Sequence, residues 1–201
     1  PPPRPTPSAS SAASDVYKGQ HQVRSIRNGT SYPIGWKEWV SEEAAGALPG
    51  VKDYLSYADD RGIKIFYVTN RTHDLEEYTR NNIKALGLPF DSDIDVLLMK
   101  NEKGWTSDKT NRRDLIKKDF RIIQIFGDQL DDFIPLKETA TSVQSRKDLI
   151  DKYANMWGEK WFMIINPMYG EWEEAIYDHC WSCFPEPVSY THLTLPTKQM
   201  V

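Results

Sequence analysis

Apolar positions along the middle of the chain alternate between two periods. From Trp36, Trp39 and Val40 a helical stripe continues to about Leu48, where Pro49 and Gly50 interrupt it. Val51, Tyr54, Leu55 and Ala58 then recur at i, i+3, i+4, i+7, a second helix with Gly62 as its stop signal. Residues 63–68 (IKIFYV) form a short apolar run, which reads as a buried strand. The same logic predicts a helix over 74–86 ended by Gly87, a strand over 94–99, a polar basic helix over 109–118 and a strand over 122–126. A helix over 142–157 carries Val143, Leu149, Ile150, Tyr153 and Trp157 on its apolar side. A strand over 161–165 and a final helix starting at 171–177 complete the series. Strands alternating with helices imply an α/β fold, a parallel sheet covered by helices on both faces.

The two ends break this pattern. Residues 1–14 (PPPRPTPSASSAAS) bury too little apolar surface to offset chain entropy and read as disordered. Residues 184–201 carry three prolines and no period. The division expected is a disordered or non-native tail over 1–20, one domain over 21–183, and a second such tail over 184–201. Both tails resemble the translated adaptor-like ends of some metagenomic assemblies, which implies that neither belongs to the natural protein.

Bulk properties constrain function weakly. The chain has 201 residues, 39% hydrophobic and 27% charged, as in an ordinary globular domain. A net charge of −4 and the lack of a basic run argue against a nucleic-acid polymer as partner. No run approaches the ~20 apolar residues of a membrane helix, and no signal-peptide core is present, so no membrane contact is expected of this chain itself. Cys180 and Cys183 form a C-x-x-C pair. It reads as a redox pair, half of a zinc site, or two incidental thiols, and no second C-x-x-C exists to complete a four-ligand site.

In open parallel sheets, ligands bind beyond the carboxyl ends of the strands, so the residues there carry the functional reading. The strand over 63–68 runs into Thr69, Asn70 and Arg71, where a hydroxyl and turn amides suit a phosphate oxygen or simply make a turn. The strand over 122–126 runs into Gly127-Asp128-Gln129-Leu130-Asp131-Asp132. Three carboxylates so close repel one another unless a cation sits among them, and magnesium takes such hard oxygen ligands. The competing reading is a solvated acidic loop. Lys109 lies between these segments in TSDKTNRR and would offset phosphate charge, or would merely be solvated. Arg112 and Arg113 contribute to the same charge or face water.

The order Thr69, Lys109, then Gly-Asp-x-x-x-Asp, each after a successive strand, resembles the haloacid dehalogenase superfamily. W-x-x-W at Trp36 and Trp39, LPGVKDYLSYADDRGIKIFYVTNR, LLMK, FGDQLDDF and NPMYGEWE are similar to the bacterial class C acid phosphatases, a family that includes the outer-membrane lipoprotein e acid phosphatase, a 5′-nucleotidase. The similarity runs from about residue 22 to 177. It implies a three-layer Rossmann-like sheet and a magnesium-dependent hydrolase of phosphomonoesters, including nucleoside 5′-monophosphates, working through an aspartyl-phosphate. Thr69, Lys109, Asp128 and Asp132 would be catalytic, and Asp128 and Asp132 would ligate or position Mg2+, with Asp131 as a substitute for Asp132. Asn70 and Arg71 would bind substrate, and Tyr169 would stack on the leaving group or pack on Trp172. Trp36 and Trp39 are expected in helix packing.

The family's first motif, Asp-x-Asp-x-Thr or -Val on the central first strand, is expected just upstream of His21. That stretch holds the Pro/Ser/Ala tail, with Asp15 as its one acid. The chain therefore reads as N-terminally truncated, with its nucleophile and central strand missing and no significant activity of its own. Either the fold suffers, or another segment such as residues 14–18 fills the gap. The intact parent would be a periplasmic or outer-membrane lipoprotein, often a homodimer. The alternatives are a non-catalytic phosphate- or metal-binding relative that has lost its nucleophile, and a phosphotransferase or phosphoglucomutase-like relative.

Overall fold

A computed structural model describes residues 4–8, 33–139, 142–166 and 170–176. In chain order its elements are β1 (Arg4–Ser8), α1 (Trp36–Ser41), α2 (Val51–Asp59), β2 (Tyr67–Thr72), α3 (Glu76–Ala85), β3 (Leu97–Lys100), α4 (Thr110–Asp119), β4 (Phe120–Gly127), α5 (Val143–Lys152), β5 (Trp161–Met163) and α6 (Glu171–Ile176). Every strand pairing among the described residues is parallel, as the alternating pattern requires. No helix among them is long and apolar enough to cross a membrane.

The strands form two ladders, β1-β4-β5 and β2-β3, instead of one continuous sheet. The edge of β4 that was expected to be left unpaired by a missing central first strand carries a strand: Arg4–Ser8 runs parallel to β4, with a register shift between Thr6 and Pro7. This corrects the expectation that all of residues 1–14 are disordered, and it places the filler at 4–8. The alternative filler at 14–18 lies outside the described residues, as do the 184–201 tail, Cys180 and Cys183. Proline supplies no backbone N–H. Pro5 and Pro7 fall on the same alternation of the strand, so one edge of β1 lacks two ladder donors. A strand of this kind can serve β4 and still fail to join β2 to it.

Two apolar clusters lie on these ladders. The larger gathers Trp39 and Val40 of α1, Leu55 and Ala58 of α2, Val68 of β2, Ile83 of α3, the β3 residues Leu97, Leu98 and Met99, and Ile116 of α4. Val68 and Met99 are fully enclosed, and side chains of this size each contribute about 1.5–3 kcal/mol on burial. The smaller cluster joins Ile125, Phe133, Ile134 and Trp161. Ile122 of β4 packs against both clusters, and Phe120 meets Phe66 edge-on with ring centroids 5.1 Å apart. The two ladders therefore share a core although no strand among the described residues bridges them.

Several boundaries move from their expected places. α1 stops at Ser41, not near Leu48: Glu43 takes φ of 52°, and the Asn82 amide holds the Ala45 peptide from both sides, Ala45 N–H to Oδ1 (3.2 Å) and Nδ2 to Ala45 O (3.1 Å). Of the small residues in this segment Ala45 is buried while Ala44 is exposed, so one buried position outside any helix extends the apparent stripe. β2 begins at Tyr67 and runs on to Thr72, because an apolar run marks what is buried and a ladder marks what is paired. The helix predicted over 142–157 ends at Lys152, capped at its start by Ser142, whose side chain accepts the Ser145 N–H.

Candidate active site

β2 and β4 end at the same side of the molecule, and the first turn of α4 ties those ends together. β2 pairs with β3 through Tyr67, Val68 and Thr69, then shifts register before Thr72 meets Lys100. Asn70 and Arg71 are looped out of the ladder by that irregularity, which presents the Thr69-Asn70 turn. The Thr69 hydroxyl oxygen accepts the Arg71 N–H (3.2 Å) and so keeps its own hydrogen to donate elsewhere. Arg112 of α4 grips this turn. Its guanidinium donates to Thr69 O (2.5 Å), Asn70 Oδ1 (2.7 Å), Thr106 O (3.1 Å) and Ser107 O (3.3 Å). With its oxygen engaged, the Asn70 amide has its NH2 left as a donor.

The next residue of α4 grips the other ladder. Arg113 donates to Asp131 O (3.0 Å) and Asp132 O (2.7 Å), and also to Thr110 Oγ1 (3.2 Å). Both arginines are buried, which settles the choice between shared charge and a solvated face: they brace the site. Burial and the neighbouring Arg113 charge hold the Arg112 guanidinium down to about 10, still well above neutrality. Burial likewise lowers Arg113, against the pull of Asp132 and Asp108.

At the end of β4, the Gly-Asp-x-x-x-Asp spacing closes a turn on itself. Leu130–Asp132 makes one 3-10 turn, which brings Asp132 Oδ2 back to accept the N–H groups of Asp128 (2.9 Å) and Gln129 (3.1 Å). Its Oδ1 pairs with Lys109 Nζ. Gly127 is needed here for space, not for an unusual φ. A Cβ at Gly127 would fall inside the Asp132 carboxyl, 2.6 Å from its Cγ. Burial alone would push the Asp132 carboxyl up. The Lys109 ammonium, its hydrogen bond and the two backbone donors outweigh burial and hold it below the usual carboxylate range.

Asp128 is arranged differently. Its Oδ2 accepts Asn166 Nδ2 (2.6 Å) and Gln129 Nε2 (3.2 Å), and its Oδ1 has no hydrogen bond among the described residues. Asn166 follows β5 and is fixed in turn by Trp172, whose indole N–H donates to Asn166 O (3.2 Å). Gly170, at φ 153°, closes over Gln129, and a Cβ there would lie 2.8 Å from Gln129 Cδ. The FGDQLDDF turn is thus tied to Asn166, Gly170 and Trp172.

Of the expected site residues, Thr69, Asn70, Lys109, Asp128 and Asp132 come together at the strand ends through these bonds. Arg71 does not lie open at the mouth. Its guanidinium donates to Thr79 Oγ1 (3.2 Å) and sits over the Trp36 and Trp39 rings at 5.7 and 5.6 Å, with 3% exposure. Trp36 and Trp39 stack on each other at 5.2 Å within the packing of α1, as helix-packing residues should. Tyr169 lies outside the described residues. Sequence reasoning did not single out Asn166 or Gln129, and it left Arg112 and Arg113 between shared charge and solvent. Arg112 and Arg113 stand three and four residues after Lys109, the spacing that places side chains on its helical face. Asn166 stands where a strand ends, the same signal that picked out Asp128.

The donor set can be tested against a divalent cation. No group of three His, Cys, Asp or Glu side chains among the described residues is disposed to hold an ion. Both oxygens of Asp132 are committed to protein donors, so it positions the loop, whereas Asp128 Oδ1 is open. Magnesium often uses one or two carboxylates and fills its octahedron with water and phosphate oxygens. One such carboxylate is what this turn offers.

Comparison with known proteins places this geometry. The chain is similar to the class C acid phosphatase from Bacillus anthracis at 29% identity, with a TM-score of 0.80, over 99% of this chain and 82% of that one. The same comparison with the tungstate-bound crystal structure of that enzyme gives 29% identity and a TM-score of 0.81, with the same coverage. The family model of HAD superfamily, subfamily IIIB (acid phosphatase), matches residues 17–172, from well before α1 to the first turn of α6. The chain therefore belongs to the subfamily IIIB acid phosphatases of the haloacid dehalogenase superfamily.

Proposed function

We propose that the strand-end site binds the phosphoryl group of a small phosphomonoester, with Mg2+ held at Asp128 and nucleoside 5′-monophosphates among the substrates. The observation that carries this is the meeting of four chemistries at one rim: the Thr69 hydroxyl, the Asn70 amide, the Lys109 ammonium and the Asp128 carboxylate. Tungstate is a tetrahedral oxyanion like phosphate, and the anthrax-bacterium relative with tungstate bound supports an oxyanion as the kind of ligand this chain takes.

Thr69 Oγ1 would donate its hydrogen to a phosphoryl oxygen, since its lone pair already takes the Arg71 amide. Asn70 would donate from its NH2, since Arg112 holds the oxygen. Lys109 would lend positive charge while Asp132 keeps it in place. A bound cation would neutralise phosphate charge next to Asp128. Asp15 is the one acid before Trp36, and it does not stand in an Asp-x-Asp pattern. Without a placed carboxylate to attack phosphorus, no acyl phosphate forms. This polypeptide is therefore read as a phosphate-binding acid phosphatase relative without turnover of its own.

Purified chain should bind tungstate or inorganic phosphate, monitored by tryptophan fluorescence. It should release no phosphate from p-nitrophenyl phosphate or adenosine 5′-monophosphate in Mg2+ above the level of Asp128→Asn. Turnover exceeding that of the variant would refute the inactive reading. An anion affinity identical to that of a Thr69→Val, Lys109→Met pair would remove the site.

A further inference from the structure

Asp128 has one oxygen spoken for and one open, and of the two groups that create this asymmetry one is its neighbour Gln129 and the other, Asn166, comes from a distant part of the chain. Asn166 Nδ2 donates to Oδ2 at 2.6 Å, and Gln129 Nε2 donates to the same oxygen at 3.2 Å. Two amide donors on one oxygen fix the rotation of the carboxylate and leave Oδ1 as its exposed ligand atom. Asn166 is not a surface accident, because three features hold it. It follows β5, which pairs with β4 from Ile125 to Gly127, so the two loops leave adjacent strands. The Ile164 N–H donates to Gly127 O (2.7 Å), which extends that pairing to the residue before Asp128. The Trp172 indole N–H clamps Asn166 O from α6, and Gly170 leaves the room in which the Gln129 amide sits.

We propose that Asn166 is a positioning residue: its side-chain amide holds Asp128 so that Oδ1 faces a divalent cation. This rests on the reading of Asp128 as the cation's carboxylate given above. An amide is suited to the task and a carboxylate is not. The amide supplies a donor and no charge, so it orients Asp128 without competing for the metal or repelling its neighbour. Groups that orient a ligand in this way typically change metal affinity by about 10-fold to 100-fold when removed.

The probe is Mn2+, followed by water-proton relaxation on the full chain, with Asp128→Asn defining which part of the signal belongs to this site. Asn166→Ala should weaken the Asp128-dependent component about tenfold while its melting temperature in EDTA stays within a few degrees of wild type. A merely structural role would move the melting temperature and leave the affinity of the folded protein alone. Equal Mn2+ affinity in Asn166→Ala and wild type, with both folded, overturns the proposal and leaves Asp128 as a cation site. No difference between wild type and Asp128→Asn overturns the cation reading itself, and the proposal with it. If Asn166→Ala does not fold, Asn166→Asp decides. That variant sets a second carboxylate against Asp128, so it should melt lower than wild type in EDTA and recover more than wild type on adding Mn2+. A melting temperature in Asn166→Asp that Mn2+ moves no more than in wild type also overturns the proposal.

Discussion

Replacing Lys109 with Met keeps the length of the side chain and removes its charge. The partner is Asp132, which has 0% exposure, while Lys109 itself has 5%. Breaking a buried ion pair from one side leaves an uncompensated charge and costs about 3–5 kcal/mol. Here the lower end applies, because the stranded carboxylate retains the Asp128 and Gln129 N–H donors at 2.9 and 3.1 Å. A loss of about 3 kcal/mol in a chain of this size lowers the melting temperature by roughly 6–12 °C and the urea midpoint by about 1–3 M. The pH dependence gives a sharper check. In the wild type, burial raises the Asp132 carboxyl, but the Lys109 charge and the hydrogen bonds bring it below its usual value. A depressed folded-state value contributes stability that is fully present above the unfolded value of about 3.9 and is lost as pH falls through the folded value. Without Lys109 the largest lowering contribution is gone and burial prevails. The gap between wild type and Lys109→Met should therefore be widest at pH 7, begin to narrow above about pH 4 as the variant's raised carboxyl takes up its proton, and close as pH falls through the depressed wild-type value. Urea titrations followed by tryptophan fluorescence at pH 7, 5 and 3 measure this. Coincident midpoints at pH 7, or a gap that does not change with pH, would show that the pair does not stabilise the site as argued.

Three further outcomes follow from other contacts. Gly127→Ala should cost about 1–3 kcal/mol by overpacking, since the new methyl meets the Asp132 carboxyl; an unchanged denaturation midpoint would contradict that close approach. Arg112→Lys keeps the charge but loses the planar fork that serves Thr69, Asn70, Thr106 and Ser107. Stranding one or two of those acceptors should lower stability by about 2–4 kcal/mol in the same assay, and wild-type stability would sink the account of Arg112 as a brace. Deleting residues 1–8 should speed hydrogen exchange of amides along β4 and leave β3 unchanged, because among the described residues β1 pairs with β4 alone; unchanged β4 protection would remove β1 from the ladder.

The local order of helices and strands was legible along the chain, because burial of one face imposes a period on each element whatever its neighbours are. Val68, Leu97, Leu98 and Met99 declare their strands in this way, and Thr69, Lys109 and Asp128 declare themselves by following a strand or heading a helix. Boundaries were less legible where burial and regular structure part company, as at Ala45, which is buried outside any helix or strand and held by the Asn82 amide. Spacing also marked Asp132 as Asp128's companion, but not its part: it spends both oxygens on Lys109 and two backbone amides.

What the sequence determined by itself is the α/β alternation, the subfamily, and the chemical groups that stand at the strand ends. Tertiary structure alone decided that the ladders stay separate beside a proline-bearing β1, that Arg112 and Arg113 bridge them, and that Asn166 aims Asp128. The physical reason is range. Periodicity is a property of a few consecutive residues, whereas a buried guanidinium or amide finds its acceptors 18 to 43 positions away, and only the folded chain brings those partners within a hydrogen bond.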